Sequence, residues 1–262
     1  MSLRDAHPVV ASSTHVVLIP SYNAGASLVA TVQSARRHWA PVWVVIDGST
    51  DGSADAVAAL ARDDDGIRVL VLATNHGKGA AVLHGLHAAW DAGFTHALTM
   101  DSDGQHPADR IDDFIRLSIA SPGAMILGKP VFASDAPALR VNGRRVSNWW
   151  AQLETLCFDD VRGIGDSLFG FRIYPIAPLI AIMDRTRWMR RFDFDPEAVV
   201  RLAWAGVRPI NVDAQVRYLA VDEGGVSHFR YGRDNLLLSW MHLRLMLGFV
   251  VRLPRLLVRR TP

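Results

Sequence analysis

Leu98-Thr99-Met100-Asp101-Ser102-Asp103-Gly104-Gln105-His106-Pro107 places two carboxylates one residue apart at the end of an apolar run. On a strand, residues i and i+2 point to the same side, so Asp101 and Asp103 can converge on one divalent cation, or on a ribose and a cation. Hard oxygen ligands suit Mg²⁺ or Mn²⁺, whose open positions phosphate oxygens fill. Asp, Ser and Gly are also common turn formers, so the stretch taken alone fits an ordinary turn or helix cap equally well.

Working outward, the chain repeats one unit. His15 to Pro20 is a short β-prone run, followed by Ser21-Tyr22-Asn23-Ala24-Gly25 and a helical pattern from Ser27 to Trp39. Val42 to Ile46 is a second strand ending in Asp47-Gly48-Ser49-Thr50-Asp51-Gly52-Ser53, with Ala54 to Arg62 as a helix and Ser53 as its candidate cap. Ile67 to Leu72, the loop Asn75-His76-Gly77-Lys78-Gly79, a helix from Ala80 to Asp91 and a strand from Thr95 to Met100 complete the series. Alternating strands and helices predict a parallel sheet covered on both faces. The carboxyl ends of such strands share one edge, so the loops beginning at Pro20, Asp47, Asn75 and Asp101 should line one crevice.

Further along, Ala124 to Leu127 reads as a strand and Pro137 to Leu156 as a long helix. Its Arg140, Arg144 and Arg145 suit either a solvated face or phosphate binding. Gly165 to Tyr174 is loop and strand, and Arg191 to Glu197 opens a helix from Pro196 to Trp204, with proline at its first position. Val207 to Val212 and Gln215 to Leu219 read as strands.

The length of 262 residues fits one large α/β domain, or a domain with a short appendage. A hydrophobic share of 50% and a charged share of 21% describe a globular chain. The net charge of +2 divides unevenly, because seven arginines against Asp234 give +6 from His228 onward and leave −4 for the rest. No nucleic-acid partner is expected. The single cysteine, Cys157, fits a reducing compartment, and residues 1–13 lack the apolar stretch of a signal peptide, so a cytoplasmic location is expected. His242, Arg244 and Arg252 interrupt the apolar tail, which argues against a spanning helix.

The Asn75 to Gly79 loop sets glycines and a lysine at a helix start, where backbone and ammonium could approach an anion. It has neither the Walker spacing nor the Gly-x-Gly-x-x-Gly fingerprint, so ATPase and nicotinamide readings lose their main support.

Taken in order, five stretches resemble the family-2 glycosyltransferases of the GT-A fold, a Rossmann-like nucleotide-sugar-binding architecture. They are Ile19 to Asn23, Ile46 to Gly52, Asn75 to Gly79 with Gly85, Asp101 to Pro107, and Asp166 through Phe171-Arg172. The likeness is strongest to the branch that includes dolichyl- and polyprenyl-phosphate sugar synthases. The charge shift at His228 sets off 228–262 as a basic amphipathic helical tail, and the likeness implies an α/β domain over 14–227 with a mostly parallel central sheet. It implies inverting transfer of a sugar from a nucleotide-sugar donor to a lipid-linked acceptor, with Mg²⁺ or Mn²⁺, at the cytosolic face of a membrane. Carried over by residue, Pro20, Ser21, Tyr22 and Asp47 hold the nucleoside, Lys78 lies in the donor-side loop, Asp101 faces the ribose or the metal, and Asp103 ligates the metal. By position, Asp195 or Glu197 is the base for an acceptor hydroxyl, with helix capping as the alternative. One departure is Ile46, where the family often has a second acidic residue before the Gly-Ser. Two other functions stay open: a GT-A-like nucleotidyltransferase and a non-catalytic nucleotide-sugar or membrane-binding module.

The tail is expected to form an interfacial helix from Tyr231 to Leu253, ended or kinked at Pro254. At about 100° per residue, Arg230, Arg233, Arg244 and Arg252 fall within an arc of roughly 100°, with Leu236, Leu243, Met246, Leu247 and Val250 opposite. The alternative is a helix docked on the sheet.

Overall fold

A computed structural model describes residues 11–131, 138–159, 162–216 and 231–258. Seven strands form one sheet: β1 (His15–Ser21), β2 (Val42–Asp47), β3 (Ile67–Leu72), β4 (His96–Thr99), β5 (Ala124–Val131), β6 (Arg172–Pro175) and β7 (Arg208–Gln215), in the order β3-β2-β1-β4-β6-β5-β7. Side chains alternate between its faces as strand geometry requires. Val16, Leu18, Trp43, Val45 and Tyr174 pack on one side with α3 (Lys78–Asp91), α6 (Ile176–Asp184) and α7 (Phe194–Ala205). Val17, Ile19, Val44, Ile46 and Ile173 pack on the other with α1 (Ala26–His38), α2 (Ser53–Asp63) and α4 (Ile111–Ala120).

The sheet is mostly parallel, as expected, with one strand reversed. β6 runs antiparallel to both β4 and β5, with Arg172 opposite Thr99. This follows from its entry point: the chain reaches β6 from the carboxyl edge of the parallel strands, so the segment preceding Arg172 lies beside Asp101. The reversal brings a further loop to the crevice.

Some boundaries also differ from the reading of the sequence. Helices α4 and α6 had not been anticipated. Ser53 is the first residue of α2 rather than its cap, and both its amide and its hydroxyl donate to Asp51 Oδ1, at 3.1 and 2.5 Å. α7 begins at Phe194, which makes Pro196 its third residue. The strand expected over Gln215 to Leu219 lies mostly outside the described residues, as do Arg230 and the proposed domain boundary at His228.

The C-terminal helix α8 (Tyr231–Val258) runs through Pro254 and docks on α5 (Ala138–Thr155) and α7. Met241, His242, Leu245 and Phe249 are buried beneath it. His242 Nδ1 lies 2.8 Å from Glu154 Oε1, and Arg252 stacks 4.6 Å from the Trp204 ring centroid. The face carrying Arg244 and Arg252 is therefore the docked one, while Leu236, Leu243, Leu247, Val250 and Val251 point outward. By length and composition Gly232–Val258 suffices to cross a membrane, so the arginines do not exclude a span as the sequence had suggested.

Candidate active site

The carboxyl edge gathers the acidic residues around one lysine. Lys78, the first residue of α3, places its Nζ 2.7 Å from Asp101 Oδ1 and 2.7 Å from Asp195 Oδ2. Burial would lower the lysine's pKa, but the two carboxylates outweigh it and hold the ammonium above its ordinary range. Asp101 is likewise raised by burial and lowered more by Lys78 and His106, to about 2. Lys78 was expected to approach an anion of the donor; in this state it joins two anions of the protein.

The turn after β4 is fixed from several sides. The Asp101 amide donates to His106 Nδ1 at 3.0 Å, and the ring's Nε2 lies 3.5 Å from Asp101 Oδ2. His106 packs edge-on to Phe169, and burial brings its pKa to about 4, so it is neutral at pH 7. Ser27 Oγ donates to the Ser102 carbonyl at 3.0 Å, tying the turn to α1. Asp103 Oδ1 accepts the Gln105 amide at 3.1 Å. Burial, then the charge of Asp101, pushes its pKa up to about 6.

Asp195 and Glu197 separate cleanly. Residues two apart on a helix project about 200° apart, so both cannot face one site. Asp195 is the one at the crevice: its Oδ2 holds Lys78, while its buried Oδ1 has no hydrogen-bond partner among the described residues. Glu197 is fully buried and bound to Arg201 at 2.7 Å and Arg244 at 3.0 Å, so it is corrected from candidate base to anchor of α8.

Asp47 is 2% exposed, and its oxygens accept the amides of His76 at 2.9 Å and Gly77 at 2.7 Å. Its carboxylate faces the Asn75 to Gly79 loop, which it holds in place. Pro20 and Ser21 are buried at the end of β1, whereas Tyr22 is 37% exposed. Asn23 Oδ1 accepts the Thr50 amide at 2.8 Å, joining the loops after β1 and β2.

Two further residues belong to the site. Arg172, fully buried, donates to the carbonyls of Asp195 at 2.7 Å and Asp166 at 3.2 Å and to Tyr174 Oη at 3.0 Å, fixing the backbone on both sides of the crevice. A Cβ on Gly170 would lie 2.8 Å from Asp101 Oδ2 and from Lys78 Nζ, so only glycine leaves their ion pair room. The signal for Arg172 was a lone cation in the apolar run Phe171 to Ile173. Arg144 pairs with Asp166 at 2.8 Å, Arg145 is exposed, and the side chain of Arg140 lies outside the description.

A sequence model described as Glycosyl transferase family 2 matches residues 16–179. The chain belongs to that family. An undecaprenyl-phosphate mannosyltransferase of Micrococcus luteus is 25% identical over 245 residues, covering 89% of this chain and 98% of that protein. A Bacillus subtilis protein named putative glycosyltransferase CsbB is 28% identical over 111 residues, 38% of this chain and 31% of its own. Among solved structures, S. aureus TarS 1-349 superposes with a TM-score of 0.55 at 17% identity, over 90% of this chain and 72% of that one. The same fragment in complex with UDP-GlcNAc gives 0.52 at 16% identity, over 82% and 62%. Against the longer TarS chain, the match spans 37% of its length. These likenesses establish the GT-A fold, and the family makes this a glycosyltransferase. With that, the nucleotidyltransferase and binding-module readings fall away.

Proposed function

We propose that the crevice carries metal-dependent, inverting transfer of a sugar from a nucleotide-sugar donor to a lipid-linked acceptor. The observation that carries this reading is the Lys78 bridge between Asp101 and Asp195, beside an Asp103 that forms no ion pair among the described residues. Burial, and after it the charge of Asp101, pushes the pKa of Asp103 up to about 6, and the oxygen donors of Asp101 and Asp103 fit Mg²⁺ or Mn²⁺, whose charge would offset both effects. Such a cation supplies charge neutralisation for the departing nucleoside diphosphate.

The protein's own groups divide the remaining work. Pro20, Ser21 and Tyr22 form the nucleoside side, and Asp47 contributes by holding the adjoining loop. Asp195 pairs with Lys78 through Oδ2, and its Oδ1, which has no hydrogen-bond partner among the described residues, is the oxygen that takes the proton of an acceptor hydroxyl. A phosphate acceptor, the kind named for the Micrococcus luteus relative, arrives already anionic, and Asp195 then serves to hold Lys78 in place.

Membrane association is supported by the outward face of α8, where Leu247 and Val251 are 64% and 79% exposed. An interfacial position fits better than a span, because Arg244 and Arg252 tie the helix to the domain. This reading places the protein peripherally on the cytosolic face.

Thermal-shift measurements across UDP- and GDP-sugars, with and without Mg²⁺ or Mn²⁺, test the donor assignment. A bound donor at a hundredfold excess over its Kd stabilises the fold by about 2.7 kcal/mol. The expected result is a shift for at least one sugar nucleotide that requires the cation. Shifts indifferent to the cation would remove the metal from the reading.

A further inference from the structure

We infer that Arg244, outside the crevice on α8, is a positioning residue for the Gly77-Lys78-Gly79 segment of the site. The inference rests on the proposed function only for what that segment binds.

Arg244 grips one stretch of chain at several points. Its guanidinium pairs with both oxygens of Glu197, Nη1 to Oε1 at 3.1 Å and Nη2 to Oε2 at 3.0 Å. Nη2 also lies 3.8 Å from Asp193 Oδ2, and the group stacks 4.0 Å from the Trp188 ring centroid. The segment from Trp188 to Glu197 is thereby held against α8.

Asp193 curls that segment, accepting the Met189 amide on Oδ2 at 3.0 Å and the Arg191 amide on Oδ1 at 2.9 Å. The curl presents the Arg190 carbonyl to the Ala80 amide at 3.0 Å, satisfying one of the free N–H groups in the first turn of α3. The backbones meet without space for side chains. A Cβ on Gly77 would lie 2.5 Å from the Arg190 oxygen, and one on Gly79 would collide with the Met189 oxygen. The two glycines flanking Lys78 are therefore needed for close approach to residues 189–191. A shift of that segment moves Lys78, and with it the bridge to Asp101 and Asp195.

Residue-resolved amide hydrogen exchange on the full chain, without ligand, tests this in wild type, Arg244→Met and Arg244→Lys. Arg244→Met should speed exchange at Gly77 and Ala80 about tenfold, equivalent to about 1.4 kcal/mol of local opening, while β1 and β2 stay at wild-type rates. Arg244→Lys, which keeps the charge but loses the planar fork, should restore part of the protection. Faster exchange confined to α8, with Gly77 and Ala80 unchanged, would overturn the inference. Should Arg244→Met fail to fold, Glu197→Gln weakens the same pair with its volume kept, and unchanged Gly77 and Ala80 amides there would equally overturn it.

Discussion

Lys78 sits between Asp101 and Asp195, and its removal leaves two carboxylates close together with no ammonium between them. Lys78→Met is expected to lose about 2 kcal/mol of stability by urea unfolding at pH 7, the low side for breaking a buried pair because the Asp101 side chain is 32% exposed. Turnover should fall much further, since both carboxylates lose their geometry. A variant as active as wild type would show that the bridge has no part in the reaction. At this scale much of the site was legible: Asp101, Asp103 and Lys78 stand at strand ends or a helix start, where topology alone brings them together. Glu197 was misplaced because helix rotation separates it from Asp195. His106 and Arg172 lie in stretches the resemblance marks, but the sequence assigns them no role, because a turn histidine and a single charge in a strand have many readings until their partners are known.

At the scale of elements, hydrophobic period located all seven strands and the helices α1, α2, α3, α5 and α7, but could not give the direction of β6. Strand direction depends on which edge the preceding loop occupies, and the loop before β6 is held by Asp166, whose Oδ1 takes the Leu168 amide at 2.9 Å. For α8 the period gives the division of faces but not the partners of the basic one: acidic and aromatic groups on α7 and its preceding loop draw Arg244 inward, and Trp204 covers Arg252. The leucines and valines remain outside. If that face meets a bilayer, Leu247→Glu with Val251→Glu should abolish co-sedimentation with anionic phospholipid vesicles and leave the melting temperature nearly unchanged, as expected for exposed positions. Co-sedimentation equal to wild type would move the membrane contact elsewhere.

The whole molecule should show a definite pH response. Burial brings both His15 and His106 to about 4, so between pH 4 and 6.5 the unfolded chain binds two protons that the folded chain does not. Stability contributed this way rises with pH. Asp103 acts in the opposite direction, because its pKa of about 6 lets the folded chain hold a proton that the unfolded chain has lost above 3.8. Glu154, whose pKa burial also raises, adds to that opposition, so the net increase in stability from pH 4 to about 6.5 has a slope below about 1.4 kcal/mol per pH unit, measurable by denaturant unfolding. Asp103→Asn should steepen it. Stability that falls over this range would contradict the burial of the two histidines. Below pH 4 the contribution of Asp101 is lost as its own pKa of about 2 is approached.

The claim that joins these scales is that Asp103 and a divalent cation serve the departure of a nucleoside diphosphate. It is tested most directly by measuring nucleoside diphosphate release from a panel of UDP- and GDP-sugars with a polyprenyl phosphate acceptor, in wild type and Asp103→Asn, with Mg²⁺ or with chelator. The predicted result is release that requires both acceptor and cation in wild type and falls by about a hundredfold or more in the folded variant. Release in Asp103→Asn at the wild-type rate, or undiminished by chelator, would contradict it.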